Sequence, residues 1–221
     1  MASSQDFNQF YEHRASVLGT RPQQNTTKFH LIKTLLNQKK DTILDIGCGR
    51  GEILIPLRQQ GYTILGIDSC QTNVGLLLPL GVKCDNCTSQ RKYYSLFNTF
   101  LILDLLEHLN EDEEKLLFQN LKQSPKHKVI LCVPNEEDLK RKSVVCPQCT
   151  HKFHPYGHLR SLSMKDISFF LEDCAGYEIL RTYYLPNWLN VKLWFIPLLV
   201  YKFMASFAWD KGNLIIEARK K

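Results

Sequence analysis

Residues 42–51, T-I-L-D-I-G-C-G-R-G, are the part of the chain best suited to bind a ligand. Glycines occupy alternate positions (Gly47, Gly49 and Gly51), and because glycine has no Cβ atom, a turn made here can press bare main chain against a bound molecule. Asp68 follows the next apolar run, in G-I-D-S. A carboxylate at the end of a second strand can reach the ribose hydroxyls of a bound adenosine. The pattern therefore predicts half of a nucleotide-binding unit.

The spacing of the glycines indicates which nucleotide fits. A dinucleotide-binding loop, G-x-G-x-x-G, would need a glycine at position 52, where the chain has Glu52. That glutamate would also repel a pyrophosphate placed at the start of the following helix. No G-K-S/T sequence is present to hold a triphosphate. With Asp45 just before the loop, the pattern favours a cationic or zwitterionic ligand.

With these residues the chain resembles the seven-strand S-adenosylmethionine-dependent methyltransferases. In that family the glycine loop packs on the methionine half of the cofactor, and the acid that ends the second strand binds the ribose. The resemblance implies S-adenosylmethionine as the cofactor, with Asp85 or Asn86 at the adenine amine and Asp104 near the cofactor's amino group or the incoming nucleophile. The cofactor-binding residues that it implies are Asp45, Gly47, Cys48, Gly49, Gly51, Asp68, Ser69, Asp85, Asn86 and Asp104.

A second candidate site follows the predicted fourth strand, in the sequence D-L-L-E-H that ends at His108. Histidine titrates near neutral pH and is the commonest general base, so His108 is the candidate for taking the acceptor's proton, with Glu107 beside it. The Glu-His pair resembles that of ubiquinone-pathway O-methyltransferases. It is also similar to the pair in small-RNA 2′-O-methyltransferases, where carboxylates and a histidine hold a divalent metal over two neighbouring hydroxyls, although this chain has Asp104 where those families usually have glutamate. The alternative is that Glu107 and His108 only cap the loop.

The region at about 135–162 is an insert rich in cysteine and histidine. The spacing Cys146-x2-Cys149-x4-His154-x3-His158 is typical of a tetrahedral Cys2His2 zinc site, and one zinc ion would fold an insert that has little core of its own. By resemblance, some relatives place a histidine in this same insert as a metal ligand or base, which makes His158 a candidate catalytic residue as well. His158 cannot fully serve both roles, and both interpretations stay open.

These candidate sites need a rigid frame, and the rest of the sequence predicts one. Segments of strand and helix character alternate from about residue 40 to the end, which indicates a parallel sheet with helices on both faces. We predict an α/β fold with a doubly wound, mostly parallel seven-stranded sheet whose last strand is antiparallel. The predicted strands are residues 43–46, 62–67, 82–84, 99–104, 128–133, 177–182 and 214–218, and the predicted helices are 52–60, 71–80, 111–123 and 164–175. A single domain, 1–221, would carry the Cys/His-rich insert and an apolar insert at about 185–211.

The most apolar part of the chain, residues 188–207, lies between the last two predicted strands. Its length suits a membrane span, but Lys192, Lys202 and Pro197 oppose one, and the last strand must return to the same sheet. Three interpretations remain: a peripheral membrane contact, a lid over an apolar acceptor pocket, and a homodimer interface. The net charge of +6 favours anionic surfaces, lipid headgroups included. Nucleic acid is not favoured as a partner, because no basic surface interleaved with aromatic residues is evident.

The cysteine content bears on location, and the motifs together bear on function. Eight cysteines in a chain without a recognisable signal peptide favour a reducing cytoplasm over a disulfide framework. We expect an S-adenosylmethionine-dependent methyltransferase that methylates an oxygen of a small or a lipid- or glycan-linked acceptor. The alternatives are an RNA 2′-O-methyltransferase and a non-catalytic, zinc-stabilised binding module on the same fold.

Overall fold

The computed structural model describes residues 11–14, 16–18, 20, 22, 26–80, 84–85, 91–125, 127–186 and 212–221. Asn86 and the apolar segment at 188–207 lie outside these residues, so what the sequence predicts for them stays a prediction. Within the described part of the chain, no helix has both the length and the apolar character needed to cross a bilayer.

The described residues contain nine strands, seven of which form one sheet. They are β1 (Thr42–Ile46), β2 (Thr63–Ile67), β3 (Cys84–Asp85), β4 (Thr99–Leu103), β5 (Lys128–Pro134), β6 (Val144–Val145), β7 (Lys152–Phe153), β8 (Tyr177–Leu185) and β9 (Asn213–Lys220). The sheet order is β3-β2-β1-β4-β5-β9-β8. Neighbours are parallel from β3 to β5, whereas β9 is antiparallel to both β5 and β8. The predicted mostly parallel sheet with an antiparallel last strand is confirmed.

The described helices connect these strands. They are α1 (Thr27–Thr34), α2 (Leu54–Gln59), α3 (Gln71–Leu77), α4 (Arg91–Tyr94), α5 (Glu111–Gln123), α6 (Leu139–Lys142) and α7 (Met164–Ser168). Residues 11–14 and 16–18 are also helical. The helix predicted at 71–80 ends as a 3-10 turn, Leu78–Leu80, where Pro79 cannot donate an α-helical hydrogen bond. The helix predicted at 164–175 continues beyond α7 as a π-helical segment, Phe169–Cys174.

Two helices begin where the sequence provides a cap. The side-chain oxygen of Asn110 accepts from the backbone N–H groups of Asp112 and Glu113, each at 3.0 Å, and the Glu113 carboxylate accepts from the Asn110 N–H in return. This capping box starts α5, and the acids of its first turn also favour the helix dipole. Ser163 and Asp166 make the equivalent reciprocal pair at α7.

The central strand β4 shows why the sheet is rigid. Every residue of Thr99–Leu103 is buried. Leu101 and Leu103 pack into the apolar cluster on one face of the sheet, and Phe100 and Ile102 pack into the cluster on the other face. Each such fully buried side chain contributes roughly 1.5–3 kcal/mol to folding. Both faces are therefore covered, as the continuous apolar run predicts.

The Cys/His-rich insert leaves the sheet after β5 and returns where Asn135 and Leu162 form a parallel bridge. Between these points, α6 is followed by the hairpin of β6 and β7. The hairpin turn is closed by two hydrogen bonds, from the Cys146 N–H to the His151 carbonyl (2.8 Å) and from the Thr150 N–H to the Cys146 carbonyl (2.9 Å). Both cysteines of the insert thus lie at the hairpin tip, and its last two histidines come after β7.

Candidate active site

The glycine-rich turn after β1 is fastened to the end of β2. The Gly47 and Cys48 N–H groups both donate to the Ile67 carbonyl oxygen, at 2.8 and 3.1 Å. Gly51, with φ +79°, has no room for a side chain, because a Cβ atom there would lie 2.6 Å from the Leu77 side chain. Gly49 differs: its φ is +52°, and a Cβ atom there would meet no described atom within 4 Å. The turn therefore presents open main chain at Gly49.

Asp68 lies directly against this open main chain. One carboxylate oxygen accepts from the Gly49 N–H at 2.8 Å. The other accepts from the Cys70 N–H at 2.9 Å and from the Asn73 side-chain amide at 3.2 Å. Burial nevertheless raises the pKa of Asp68 above its ordinary value. The predicted glycine loop and the predicted acid are thus one unit, to which Asn73 adds a partner that the sequence analysis did not identify.

The remaining predicted cofactor residues differ in their placement. Asp45 is buried on β1, and burial, with the nearby Asp68 carboxylate, raises its pKa to about 7. Ser69 is exposed beside Asp68. Asp85 ends β3 in register with Ile67, so its backbone lies at the same edge of the sheet. These strand ends share the carboxyl edge, where open α/β sheets bind their ligands.

The N-terminal helical residues cross from this edge to the second candidate site. The Glu12 carboxylate accepts from the Gln71 and Thr72 N–H groups at 2.7 and 2.9 Å, which caps α3 beside Asp68. Its neighbour Tyr11 hydrogen bonds to His108 at 2.6 Å. Neither contact has a local sequence signal, because the partners are tens of residues away.

The D-L-L-E-H sequence places Glu107 and His108 in a 3-10 turn, Leu106–His108, after β4. Their potential ligand atoms and one of His158 lie within 4.8 Å of one another. Glu107 is 1% exposed, and neither of its carboxylate oxygens has a hydrogen-bond partner among the described residues. Burial, followed by the nearby Asp104 carboxylate, raises the pKa of Glu107 well above its ordinary value. An unpartnered buried carboxylate of this kind favours a cationic ligand.

The contacts of His108 indicate which ring nitrogen carries its proton. Nδ1 lies 2.6 Å from the Tyr11 hydroxyl oxygen and 3.3 Å from the Gly157 carbonyl oxygen. The Tyr11 hydroxyl donates to the Tyr156 carbonyl at 3.2 Å. Because carbonyl oxygens only accept, this network assigns the proton to Nδ1 and leaves the Nε2 lone pair free. Burial, and then His158, lower the pKa of His108 to about 4, so the ring is neutral at pH 7.

His158 is held in the same manner by Glu137, which comes from the loop after β5. Its Nδ1 is hydrogen bonded to the Glu137 carboxylate. Lys142 also donates to Glu137 at 2.8 Å. Although burial opposes ionisation, these two partners lower the pKa of Glu137, which therefore stays a carboxylate and accepts the Nδ1 proton. The Nε2 lone pair of His158 then remains available, as in His108.

A second group of potential metal ligands, Glu137, His154 and His158, is less suitable. His154 Nδ1 accepts from the His158 N–H at 3.3 Å, so the proton of the neutral ring is on Nε2. That Nε2 lies 3.8 Å from a Glu137 carboxylate oxygen. Since a nitrogen that carries a proton cannot ligate a metal, Glu107, His108 and His158 form the better site.

The predicted Cys2His2 set is not assembled in the described structure. His154 and His158 lie with Glu137, and neither group of potential ligands includes Cys146 or Cys149. At the hairpin tip, the backbone N–H groups of Cys149 and Gln148 lower the pKa of the Cys146 thiol. The pair thus lies apart from His154 and His158, and a zinc site here stays a prediction.

The chain is similar to known methyltransferases in sequence and in fold. A family described as "Methyltransferase domain" matches residues 17–181. Two curated relatives are ubiquinone biosynthesis O-methyltransferases. The one from Rickettsia canadensis (strain McKiel) is 32% identical over 82 residues, which cover 34% of this chain and 35% of that protein. The one from Rickettsia felis (strain ATCC VR-1525 / URRWXCal2) is 30% identical over 82 residues, which cover 34% of each protein. The match thus spans about a third of the length of these curated relatives.

Solved structures show the same fold at low sequence identity. Magnesium protoporphyrin IX methyltransferase from Synechocystis PCC 6803, with bound SAM, is 16% identical with a TM-score of 0.54, covering 100% of this chain and 86% of that one. The 1,6-didemethyltoxoflavin-N1-methyltransferase of Burkholderia thailandensis, with S-adenosylhomocysteine, is 15% identical with a TM-score of 0.61, covering 98% and 86%. At these identities the likeness concerns the fold alone.

Proposed function

The chain belongs to the methyltransferase-domain family, and from this we propose that it transfers the methyl group of S-adenosylmethionine to an oxygen of a small or a lipid- or glycan-linked acceptor. One observation carries the proposal: the open main chain at Gly49 and the turn with Glu107 and His108 follow the ends of the adjacent strands β1 and β4, and His158 of the insert joins that turn. A cofactor and an acceptor bound at these places would be neighbours. The names of the curated relatives support oxygen as the methyl acceptor.

The residues around Gly49 fit this cofactor. S-adenosylmethionine supplies a methyl group on a positively charged sulfur, which a nucleophile displaces in line. The Asp68 carboxylate, which accepts from the Gly49 N–H, would give the loop negative character and repel a dinucleotide phosphate. Asp68 would bind the ribose, and its hydrogen bond to the Gly49 N–H keeps loop and acid in register. Ser69, Asp85 and Asp104 would complete the site.

The residues that face the acceptor must favour the ionised form of the acceptor's hydroxyl oxygen. Glu107, His108 and His158 would hold a divalent ion, whose charge would lower the pKa of an acceptor hydroxyl. Tyr11 and Glu137 keep the Nε2 lone pairs of the two histidines free for it. We prefer this to His108 as a direct base, because a ring with a pKa of about 4 takes up protons poorly at neutral pH. Acceptors with two neighbouring hydroxyls, such as catechols, suit such an ion.

Cofactor binding can be tested without knowing the acceptor. We expect Gly49→Arg to weaken binding of S-adenosylhomocysteine by roughly 100-fold or more, because the side chain fills the open cleft and φ is positive. Gly75→Arg is the matched control, since Gly75 lies on α3, is exposed and has open space around it. Isothermal titration calorimetry gives both affinities. Equal affinity of wild type and Gly49→Arg would overturn the proposed cofactor site.

The acceptor class needs an activity assay with labelled S-adenosylmethionine. The panel contains a catechol, a lipid-linked phenol, a glycan with a vicinal diol and an RNA oligonucleotide with a free 3′ end. We expect methylation of the catechol or the lipid-linked phenol, dependent on added Mg²⁺ or Mn²⁺ and reduced at least about 100-fold by Glu107→Gln. Methylation of RNA alone would support the alternative function. Turnover unaffected by a chelator and by Glu107→Gln would exclude the ion.

A contact with a membrane surface through residues 188–207 belongs to the same proposal, since a lipid-linked acceptor has to be reached at a bilayer. The net charge of +6 supports attraction to anionic headgroups. We expect the full chain to float with anionic vesicles and a variant without residues 188–207 to stay in solution. Flotation of both proteins would assign the contact to another part of the chain.

A further inference from the structure

The hairpin of the Cys/His-rich insert carries two cysteines that the candidate active site does not use. Cys146 and Cys149 are free thiols at the tip of this hairpin. Every residue of 144–153 is exposed except Cys146, which is partly exposed. The two thiols are therefore accessible to a ligand from outside the chain.

The two sulfur atoms are arranged as a pair of ligands. The Cys149 thiol donates a hydrogen bond to the Cys146 sulfur, which also accepts from the backbone N–H groups of Gln148 and Cys149. Such hydrogen bonds favour the thiolate, which is the form of cysteine that binds zinc. Thr150, just after the pair, has φ +57°, a conformation that is unfavourable for a β-branched residue. The turn thus keeps a strained shape that puts the two thiols together.

A tetrahedral zinc ion needs two more ligands, which the described part of the chain does not bring to the hairpin tip. Structural zinc is bound by four cysteine or histidine side chains. Among the described residues, no group of three potential ligands includes either cysteine of the pair. Cys48, Cys70 and Cys132 are buried in the core, where they cannot reach an exposed turn. The pair is therefore half of a zinc site.

A second copy of the chain has the surface to supply the other half. Two identical hairpins that meet tip to tip about a two-fold axis bring four thiols around one ion on that axis. Val144 and Val145, just before the tip, are 42% and 59% exposed. Contact with the same side chains of the second copy would remove this apolar surface from water.

The charges near the tip suit four thiolates. A zinc ion with four thiolates has a net negative charge, and Lys152, opposite Val145 in the hairpin, provides a positive charge from each copy. Lys140 and Arg141 of α6 add to it. Without the ion, these basic residues of the two copies repel each other, so association of the chains depends on zinc.

We propose that Cys146 and Cys149 bind one zinc ion together with the same two cysteines of a second copy, so that zinc links two chains at their hairpin tips. The four thiol protons are released to solvent as the ion binds. This inference is independent of the proposed function, because it uses no residue assigned to the cofactor or to the acceptor.

Sedimentation equilibrium of the full chain tests the link. The protein is kept reduced with a phosphine, freed of metal with a chelator, and titrated with Zn²⁺. We expect the wild type to change from one chain to two as zinc is added. Cys149→Ser should stay a single chain and bind about 0.5 zinc per chain less than the wild type. The difference between the two proteins is the quantity compared, since any zinc bound at Glu107, His108 and His158 is common to both.

Cys174→Ser is the matched control, because Cys174 is also a free cysteine but ends the π-helical segment. It should form the zinc-linked dimer as the wild type does. Cobalt(II) in place of zinc provides a spectroscopic check, since four thiolates give this ion intense absorption bands that Cys149→Ser should lack.

The stoichiometry and the mass together decide the outcome. A wild type that stays a single chain while its cysteines bind about one zinc per chain would overturn the inference, because the same chain would then complete the site. A dimer that forms equally without zinc or in Cys149→Ser would also overturn it, as would equal zinc contents of these two proteins. A zinc-linked dimer that binds no S-adenosylhomocysteine would count against the proposed function alone.

Discussion

The positions of the ring protons of His108 and His158 decide what the candidate acceptor site can do. His108 and His158 each use Nδ1 to donate, the first to Tyr11 and Gly157 and the second to Glu137, so both present Nε2 lone pairs near Glu107. A ring flipped at either position would turn a ligand atom into a donor. The spacing Glu107-His108 in the sequence places the two residues together but says nothing about their protons, which are set by partners from the N-terminus and the insert.

At the same scale, Asp45 makes the stability of the ligand-free protein depend on pH. Its pKa is raised from an ordinary 3.8 to about 7, so between these values the unfolded chain has lost this proton while the folded chain keeps it. The free energy of unfolding therefore falls as pH rises through that window, by on the order of 1 kcal/mol per pH unit. Above the folded pKa the loss is complete.

Asp45→Asn removes this titration. We therefore expect its free energy of unfolding to exceed that of the wild type by little at pH 4.5 and by more at pH 8. Thermal unfolding at the two pH values measures it. The control is Asp173→Asn, at an exposed position in the π-helical segment. A difference between Asp45→Asn and wild type that stays constant with pH would contradict the assignment.

Among the elements, α5 is defined most completely by its own sequence. Its capping box satisfies N–H groups that would otherwise lack partners, and Leu117, Phe118 and Leu121 bury its inner face. The helix begins three residues after His108, and the hydrogen bonds of its cap stay within residues 110–114. The cap therefore contributes to stability rather than to the chemistry of the site.

We expect Asn110→Ala to lower the free energy of unfolding by about 0.5–2 kcal/mol, because two N–H groups lose their acceptor. Urea denaturation measures this. Asn110→Ser, which can still cap the helix, is the control and should recover most of the loss. The affinity for S-adenosylhomocysteine should not change in either variant, and a large change would mean that the cap also positions the 3-10 turn before it.

At the scale of the whole molecule, the candidate site lies at one edge of the sheet and a buried ion pair lies at the opposite edge. The carboxyl ends of the strands carry the glycine loop, Asp68, Asp104 and the turn with Glu107. At the opposite edge, Lys128 at the start of β5 pairs with Asp41 just before β1 at 2.5 Å and also donates to the Leu35 carbonyl at 2.8 Å. Both side chains are mostly buried, so this pair joins two strands and a helix at the edge opposite the candidate site.

We expect Asp41→Ala to destabilise the protein by about 2–4 kcal/mol, because a buried ammonium loses its partner. The double variant Asp41→Ala, Lys128→Met should recover much of that loss, as expected when both charges are removed. Thermal and urea unfolding provide the comparison. Cofactor affinity should be unaffected in both variants, and a parallel loss of binding would show that the two edges are coupled.

The sequence by itself determined the fold and predicts one half of the candidate site. Gly47, Gly49, Gly51 and Asp68 were found because a ligand-binding turn needs glycines at fixed local spacing, and α5 was found because its cap and apolar face are also local. The ends of helices depend on tertiary packing as well, as the π-helical continuation of α7 shows. Predictions of local structure succeed where the physical cause lies within a few residues.

Only the tertiary structure determines which distant side chains hydrogen bond or form ion pairs with one another. Several partners belong to no sequence motif. Tyr11 and Glu137 fix the ring protons of His108 and His158, Glu12 caps α3, and Lys28 pairs with Asp104. The tertiary structure also placed Cys146 and Cys149 apart from His154 and His158, which the Cys2His2 spacing in the sequence had joined. Such contacts connect residues that are far apart in the chain, and their energies depend on burial and on the orientation of charges. Those quantities exist only once the sheet has brought the segments together.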